Sequence, residues 1–183
     1  MAGSVLPGPE ERKAMHRVYV AIHGEKDRLP HNPSHRTRLL TEVFGGNRWS
    51  WWVVGITPSA LNRFAENDFK KTKGIVRAHL KSRREIYDYI LNTDLPLNCE
   101  QLFSYLLTEE ETVLATKREN SPKVDLRGQY IPLSNSDRLL FQGRYVGWHH
   151  GADEQEALRS VFPNETAQGM EITRPNEMDE PIK

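Results

Sequence analysis

The chain has 183 residues, 37 % hydrophobic and 27 % charged, with 25 Lys and Arg against 25 Asp and Glu. That length suits one domain with a real core. The single cysteine, Cys99, excludes an internal disulfide and a cysteine-built zinc knuckle, and no apolar run approaches the ~18 residues of a membrane helix, so the expected setting is reducing, cytoplasmic and free of membrane.

Net neutrality hides segregation. Arg12 to Arg38 holds seven basic residues against two acids, Phe69 to Arg84 seven against none, and Asp153 to Lys183 eight acids against three bases. Two basic segments and an acidic tail suit an anionic partner, or a tail that covers the basic face.

In chain order, residues 1–13 are rich in Pro and Gly and then charged, and read as a disordered N-terminal segment. Residues 14–162 read as the globular domain. Its first element is a strand in HRVYVAIHG, where Val18, Val20 and Ile22 alternate with Arg17, Tyr19 and Ala21 up to Gly24. EKDRLPHNPSHR is a loop, and HRTRLLTEVFGG a short helix stopped by Gly45 and Gly46. RWSWWVVGI, aromatic and β-branched, reads as a strand. TPSALNRFAENDF follows as a helix capped at Thr57 or Ser59 with Pro58 in the first turn.

Residues Gly74 to Leu91 read as one longer helix with Val76, Leu80, Tyr87 and Leu91 on one face. LPLNCEQLFSYLLTEE is a helix capped by Asn98, and Thr112–Ala115 starts a strand. QYIPLS and LLFQGRYVGWHHG read as two late strands around an Asn-Ser-Asp turn, and DEQEALRSVF as a closing helix. Residues 163–183 form an acidic tail expected to be disordered. The fold class is α+β: a small mixed or antiparallel sheet with packed helices in a single domain, lacking the βαβ rhythm of a parallel sheet.

The stretch KKTKGIVRAHLKSRR concentrates the charge. On a helix, Lys73, Arg77, Lys81 and Arg84 recur at spacings of four, four and three and form one ridge suited to a phosphate backbone. Lys70, Lys71 and Arg83 extend it. Trp49, Trp51 and Trp52 cluster just upstream. On a strand Trp49 and Trp51 share a face, and Trp51 is the candidate to stack on a base.

Two short pieces carry a resemblance. Arg77-Ala78-His79-Leu80 resembles the Arg-Gly-His-Leu core of non-specific nucleases with a His-metal finger, with Ala78 in place of Gly. Thr112 to Asn120, TVLATKREN, resembles the ending common in HNH nucleases, with Glu111 where that ending begins with Asn. The resemblance implies His79 as the general base that activates water against a phosphodiester, Arg77 steadying the phosphate, and Glu119 and Asn120 completing the site. It also implies one Mg²⁺ held by Asn120 and an acid such as Glu111. A restriction-type metal site from Glu109, Glu110, Glu111 and Lys117 lacks the usual two-residue spacing. The helical reading, for its part, makes His79 a helix residue bordering the core.

Two functions are therefore expected. One is a nucleic-acid-binding protein, possible as a metal-dependent endonuclease of restriction or mobile-element type, with DNA as the partner. The other is a non-catalytic module that uses the basic helix and the Trp cluster to bind nucleic acid, a protein, or a second copy of itself as a homodimer.

Overall fold

A computed structural model of the chain describes residues 6–29, 33–121, 123–143 and 147–167, with the side chains of 33, 48 and 163–167 excepted. The elements are α1 (Pro9–Gly24), α2 (Pro33–Leu40) running into a π-helical turn (Thr41–Gly45), a 3-10 turn (Arg48–Trp51), β1 (Trp52–Ile56), α3 (Pro58–Ala65), β2 (Ile75–His79), α4 (Arg83–Leu91), α5 (Cys99–Glu109), β3 (Glu111–Thr116), β4 (Ile131–Pro132) and α6 (Ala152–Ala167). The strands form one mixed sheet in the order β2-β3-β1-β4. β1 runs parallel to β3, while β2 against β3 and β4 against β1 are antiparallel. The α+β class and the single small mixed sheet are as expected.

Beside a small cluster of Ala78, Val113, Ala115 and Leu126 on the sheet, two larger apolar clusters form the core. One joins α1, α2, α4 and α5 through Tyr19, Leu40, Phe44, Trp49, Ile86, Tyr87, Ile90, Leu102, Phe103 and Leu106. The other joins β1, β3, α3 and α6 through Val53, Ile56, Leu61, Phe64, Leu114, Phe141 and Leu158.

The first element is a helix, not a strand. Val18 is 45 % exposed and Val20 37 %, so the alternating residues do not define the buried face. Tyr19 and His23, four apart, are the buried positions, which is the helical period. The Tyr19 hydroxyl donates to the Ile90 carbonyl at 2.9 Å and accepts from the Leu97 amide at 3.0 Å, tying α1 to the α4–α5 connection. Pro9 to Lys13, expected in a disordered segment, form the first turns of α1, where Pro9 and the acids Glu10 and Glu11 suit a helix start.

The expected helix 74–91 is divided. Residues 75–79 form β2, paired with β3 from Ile75 opposite Thr116 to His79 opposite Thr112. The helix begins only at Arg83, where Ser82 and Glu85 form a capping box. Gly74 has φ +85°, a conformation glycine takes without strain, and it separates the Lys-rich turn from the strand.

The strand expected from Arg48 begins only at Trp52, because 48–51 coil into the 3-10 turn. The late strand expected across 139–151 is irregular chain over 139–143 and 147–151. Its carbonyls bond side chains rather than a neighbouring strand, as shown below. The closing helix extends past 162 to Ala167, and the rest of the expected tail lies outside the described residues. α3, with Thr57 accepting from the Ala60 amide, and α5, capped by Asn98, are as expected.

Gly55 sits where the chain leaves no room. A Cβ there would collide with the Tyr130 ring and lie 2.7 Å from the Ile131 carbonyl oxygen. Backbone cannot yield as a flexible side chain can, so Gly55→Ala is expected to lower stability by about 1–3 kcal/mol in urea unfolding. A neutral result would mean that β4 is free to move off β1.

Candidate functional site

The junction of β2, α4 and β3 gathers polar groups around one buried carboxylate. Glu110, between α5 and β3, is fully buried. Its Oε2 accepts from Arg83 Nε at 3.3 Å and lies 3.2 Å from His79 Nε2, while Oε1 accepts from the Tyr87 hydroxyl at 3.1 Å. A carboxylate accepts and does not donate, so in the neutral ring Nε2 of His79 carries the proton toward Glu110 and Nδ1 the lone pair. Burial pushes the Tyr87 phenol far above its ordinary range, so it remains a donor.

Trp51 forms the neighbouring wall. Its ring centroid is 4.3 Å from the Arg83 guanidinium, 4.6 Å from that of Arg77 and 4.7 Å from the His79 ring. The π-turn carbonyl of Gly45 holds the wall in place. It accepts from Trp51 Nε1 at 3.0 Å, from Ser50 Oγ at 2.9 Å and from an Arg83 terminal nitrogen at 3.2 Å.

Beside this wall lies a groove of about 780 Å³, lined by Trp51, Arg77, His79 and Arg83. Glu119, Asn120, Ser121, Lys123 and the Asp125–Arg127 pair line it as well. Arg127 bonds Asp125 through Nε at 2.9 Å and a terminal nitrogen at 2.8 Å, and these bonds hold the Asp125 carboxyl down at about 2. Lys123 is exposed.

The structure brings His79, Arg77, Glu119, Asn120 and Trp51 to this one groove, but gives several of them other roles. His79 ends a strand rather than lying within a helix. Arg77 is not on a surface ridge; it is 6 % exposed. Its guanidinium donates to the carbonyls of Gly143 at 3.1 Å and Gly147 at 2.7 Å, with Phe141 at 3.5 Å. Burial, then repulsion from Arg83, lowers it to about 10.

Glu119 is a structural cap. Its Oε2 accepts from Thr57 Oγ1 at 2.9 Å and from the Thr116 amide and hydroxyl, both at 2.8 Å. Glu111 lies outside the groove and lines a separate hollow with Lys81 and Glu109. Burial raises its carboxyl.

The four-cation ridge does not form, because it required a continuous helix. Lys81 pairs with Glu109 at 3.2 Å and donates to the Tyr105 hydroxyl at 3.1 Å. Arg84 pairs with Asp88 one turn on, and Lys70 with Asp68. Lys71 donates to the Trp148 carbonyl at 2.6 Å. Lys73 is exposed before the strand. The three tryptophans separate because 49–51 are not extended: Trp49 enters the helical core, Trp51 the groove, and Trp52 donates to the Asn135 carbonyl beneath the Arg138 guanidinium.

Among the described residues no group of three His, Cys, Asp or Glu side chains is placed to hold a metal ion, and Glu119 Oε2 already accepts from three protein donors. No described helix is long and apolar enough to cross a membrane.

Nothing in the sequence points to Lys123, and it marks Glu110 only as one of three consecutive acids and Tyr87 only as part of an apolar helix face. The capping signature Ser82-x-x-Glu85 was the available signal that α4 starts at Arg83, and hence that His79 lies outside it. No local pattern distinguishes Glu110 from Glu109 and Glu111.

Glu119 also sets an acid dependence. Burial raises its carboxyl, but the bonds from Thr116 and Thr57 outweigh that and leave it below the ordinary 4.5. Its stabilisation is therefore present above the unfolded-state value and lost as pH falls through the lower folded value. In urea titrations Glu119→Gln is expected to be less stable than wild type at neutral pH, with the gap narrowing towards pH values of about 3. A constant gap would contradict this.

No known protein family, curated protein or solved structure matches this chain.

Proposed function

We propose that the protein binds nucleic acid in the groove between the Trp51–His79–Arg83 wall and the 119–127 segment. One observation carries this reading. The groove is lined both by an aromatic and imidazole surface and by exposed cationic side chains, Lys123 and the Asp125-paired Arg127. A flexible polyanion needs both a platform for its bases and charges for its phosphates. The groove replaces the helical ridge as the contact surface. Arg77 and Arg83 shape it by fixing Trp51, and Lys123 and Arg127 meet phosphates.

The test is fluorescence anisotropy with labelled single-stranded and duplex oligonucleotides over a salt series. Affinity should fall steeply with salt, and Lys123→Gln with Arg127→Gln should reduce the slope by about 1–2, near 0.7–0.9 per lost phosphate contact. An unchanged slope, or no binding at low salt, refutes the reading. Binding to a protein partner or a second copy, the alternative module, would appear as complex formation unaffected by these two substitutions.

A further inference from the structure

We propose that the groove cleaves RNA by transesterification, with His79 Nδ1 as general base toward the ribose 2′-hydroxyl. This rests on the nucleic-acid reading above and adds the substrate class and the chemistry.

The argument starts from what the carboxylates are doing. Each one in the groove already serves the protein: Glu110 takes His79, Arg83 and Tyr87, Glu119 takes Thr57 and Thr116, Glu85 takes the Ser82 amide and hydroxyl, and Asp125 takes Arg127. The donor set that would let a metal ion activate water is spent on structure. What remains for chemistry is the imidazole. Its side chain is 14 % accessible, it lines the groove, and its Nε2 proton is committed to Glu110.

A lone oriented base works best on a nucleophile that the substrate itself holds beside the phosphorus, because the attack is then intramolecular. RNA carries that nucleophile and DNA does not.

The step balances without a co-reactant. Nδ1 takes the 2′-hydroxyl proton as the 2′-oxygen bonds to phosphorus and the bond from phosphorus to the 5′-oxygen breaks. The departing 5′-oxygen takes a proton from water, and the imidazolium returns its proton to the hydroxide left behind. The products are a 2′,3′-cyclic phosphate and a 5′-hydroxyl. Lys123, exposed and lining the same groove, would offset charge on the phosphate oxygens.

The experiment uses the full chain with end-labelled single-stranded RNA, the same strand fully 2′-O-methylated, and the DNA equivalent, each in EDTA and in Mg²⁺. RNA should be cut in EDTA to leave cyclic-phosphate and 5′-hydroxyl ends, while the other two strands bind uncut. His79→Ala and His79→Asn, prepared identically and checked for folding by circular dichroism, should lose cleavage at saturating RNA by about 10²–10⁴-fold, far more than they lose in affinity. The imidazole ¹⁵N spectrum should show the Nε2–H tautomer.

Binding of RNA without cleavage in EDTA, equal cleavage of DNA, cleavage only with Mg²⁺, or an Nδ1–H tautomer overturns the chemistry and leaves the binding reading standing. Failure of all three strands to bind overturns the binding reading itself, and this one with it.

Discussion

Glu110→Ala is expected to lower stability by about 3–5 kcal/mol, since removing one partner of a buried charged cluster strands the others. The Arg83 side chain is 13 % accessible and His79 14 %, so water replaces the lost carboxylate poorly. The Tyr87 hydroxyl, fully buried, loses an acceptor as well. Glu110→Gln keeps one carbonyl oxygen and should lose about 1–3 kcal/mol. Urea unfolding read by tryptophan fluorescence is an apt measurement, because Trp51 lies against Arg83 and His79. A loss for Glu110→Ala below about 1 kcal/mol would mean that the cluster is open to water and that His79 is not held in one tautomer.

Arg77→Ala should be nearly as damaging, at about 3 kcal/mol, because the carbonyls of Gly143 and Gly147 lose their donor. Arg77 is a post between the sheet and the chain that follows Phe141. Arg77→Met separates two contributions: it refills the volume but donates nothing. If Met is as destabilising as Ala, the hydrogen bonds dominate; if Met restores stability, packing does. Were Arg77 a surface contact for phosphate, either change would stay within about 0.5 kcal/mol. The same denaturation series thus decides between the post and the ridge.

Much of the architecture could be read from local chemistry. Thr57 with Pro58, and Asn98 with Gln101, announce helix starts through capping groups confined to four residues. Thr112 to Ala115 is a β-branched and apolar run, and it becomes the strand at the sheet's centre, between β2 and β1. The site was partly legible. His79, Arg77 and Asn120 attract notice through two short nuclease-like pieces, and all three line the groove.

Misreadings arose where two periods fit the same letters. Val18, Val20 and Ile22 alternate like a strand, yet Tyr19 and His23 face the core one helical turn apart. Ile75 to His79 continues a helical pattern into α4, yet pairs along its whole length with β3. Pairing with partners 33 to 41 residues away, from His79 with Thr112 to Ile75 with Thr116, is invisible to a local window, and it overrides propensities worth well under about 1 kcal/mol per residue.

The amino-acid order by itself determined an α+β domain, the helix caps and the concentration of positive charge before α4. Only the tertiary structure decided what that charge does. It buried Arg77 against the carbonyls of Phe141, Gly143 and Gly147, paired Lys81 and Arg84 with acids, and singled out Glu110 from three consecutive glutamates to hold His79. Which carboxylate meets which cation depends on how distant segments pack, and the desolvation that makes such a meeting costly or stabilising exists only once the core has closed.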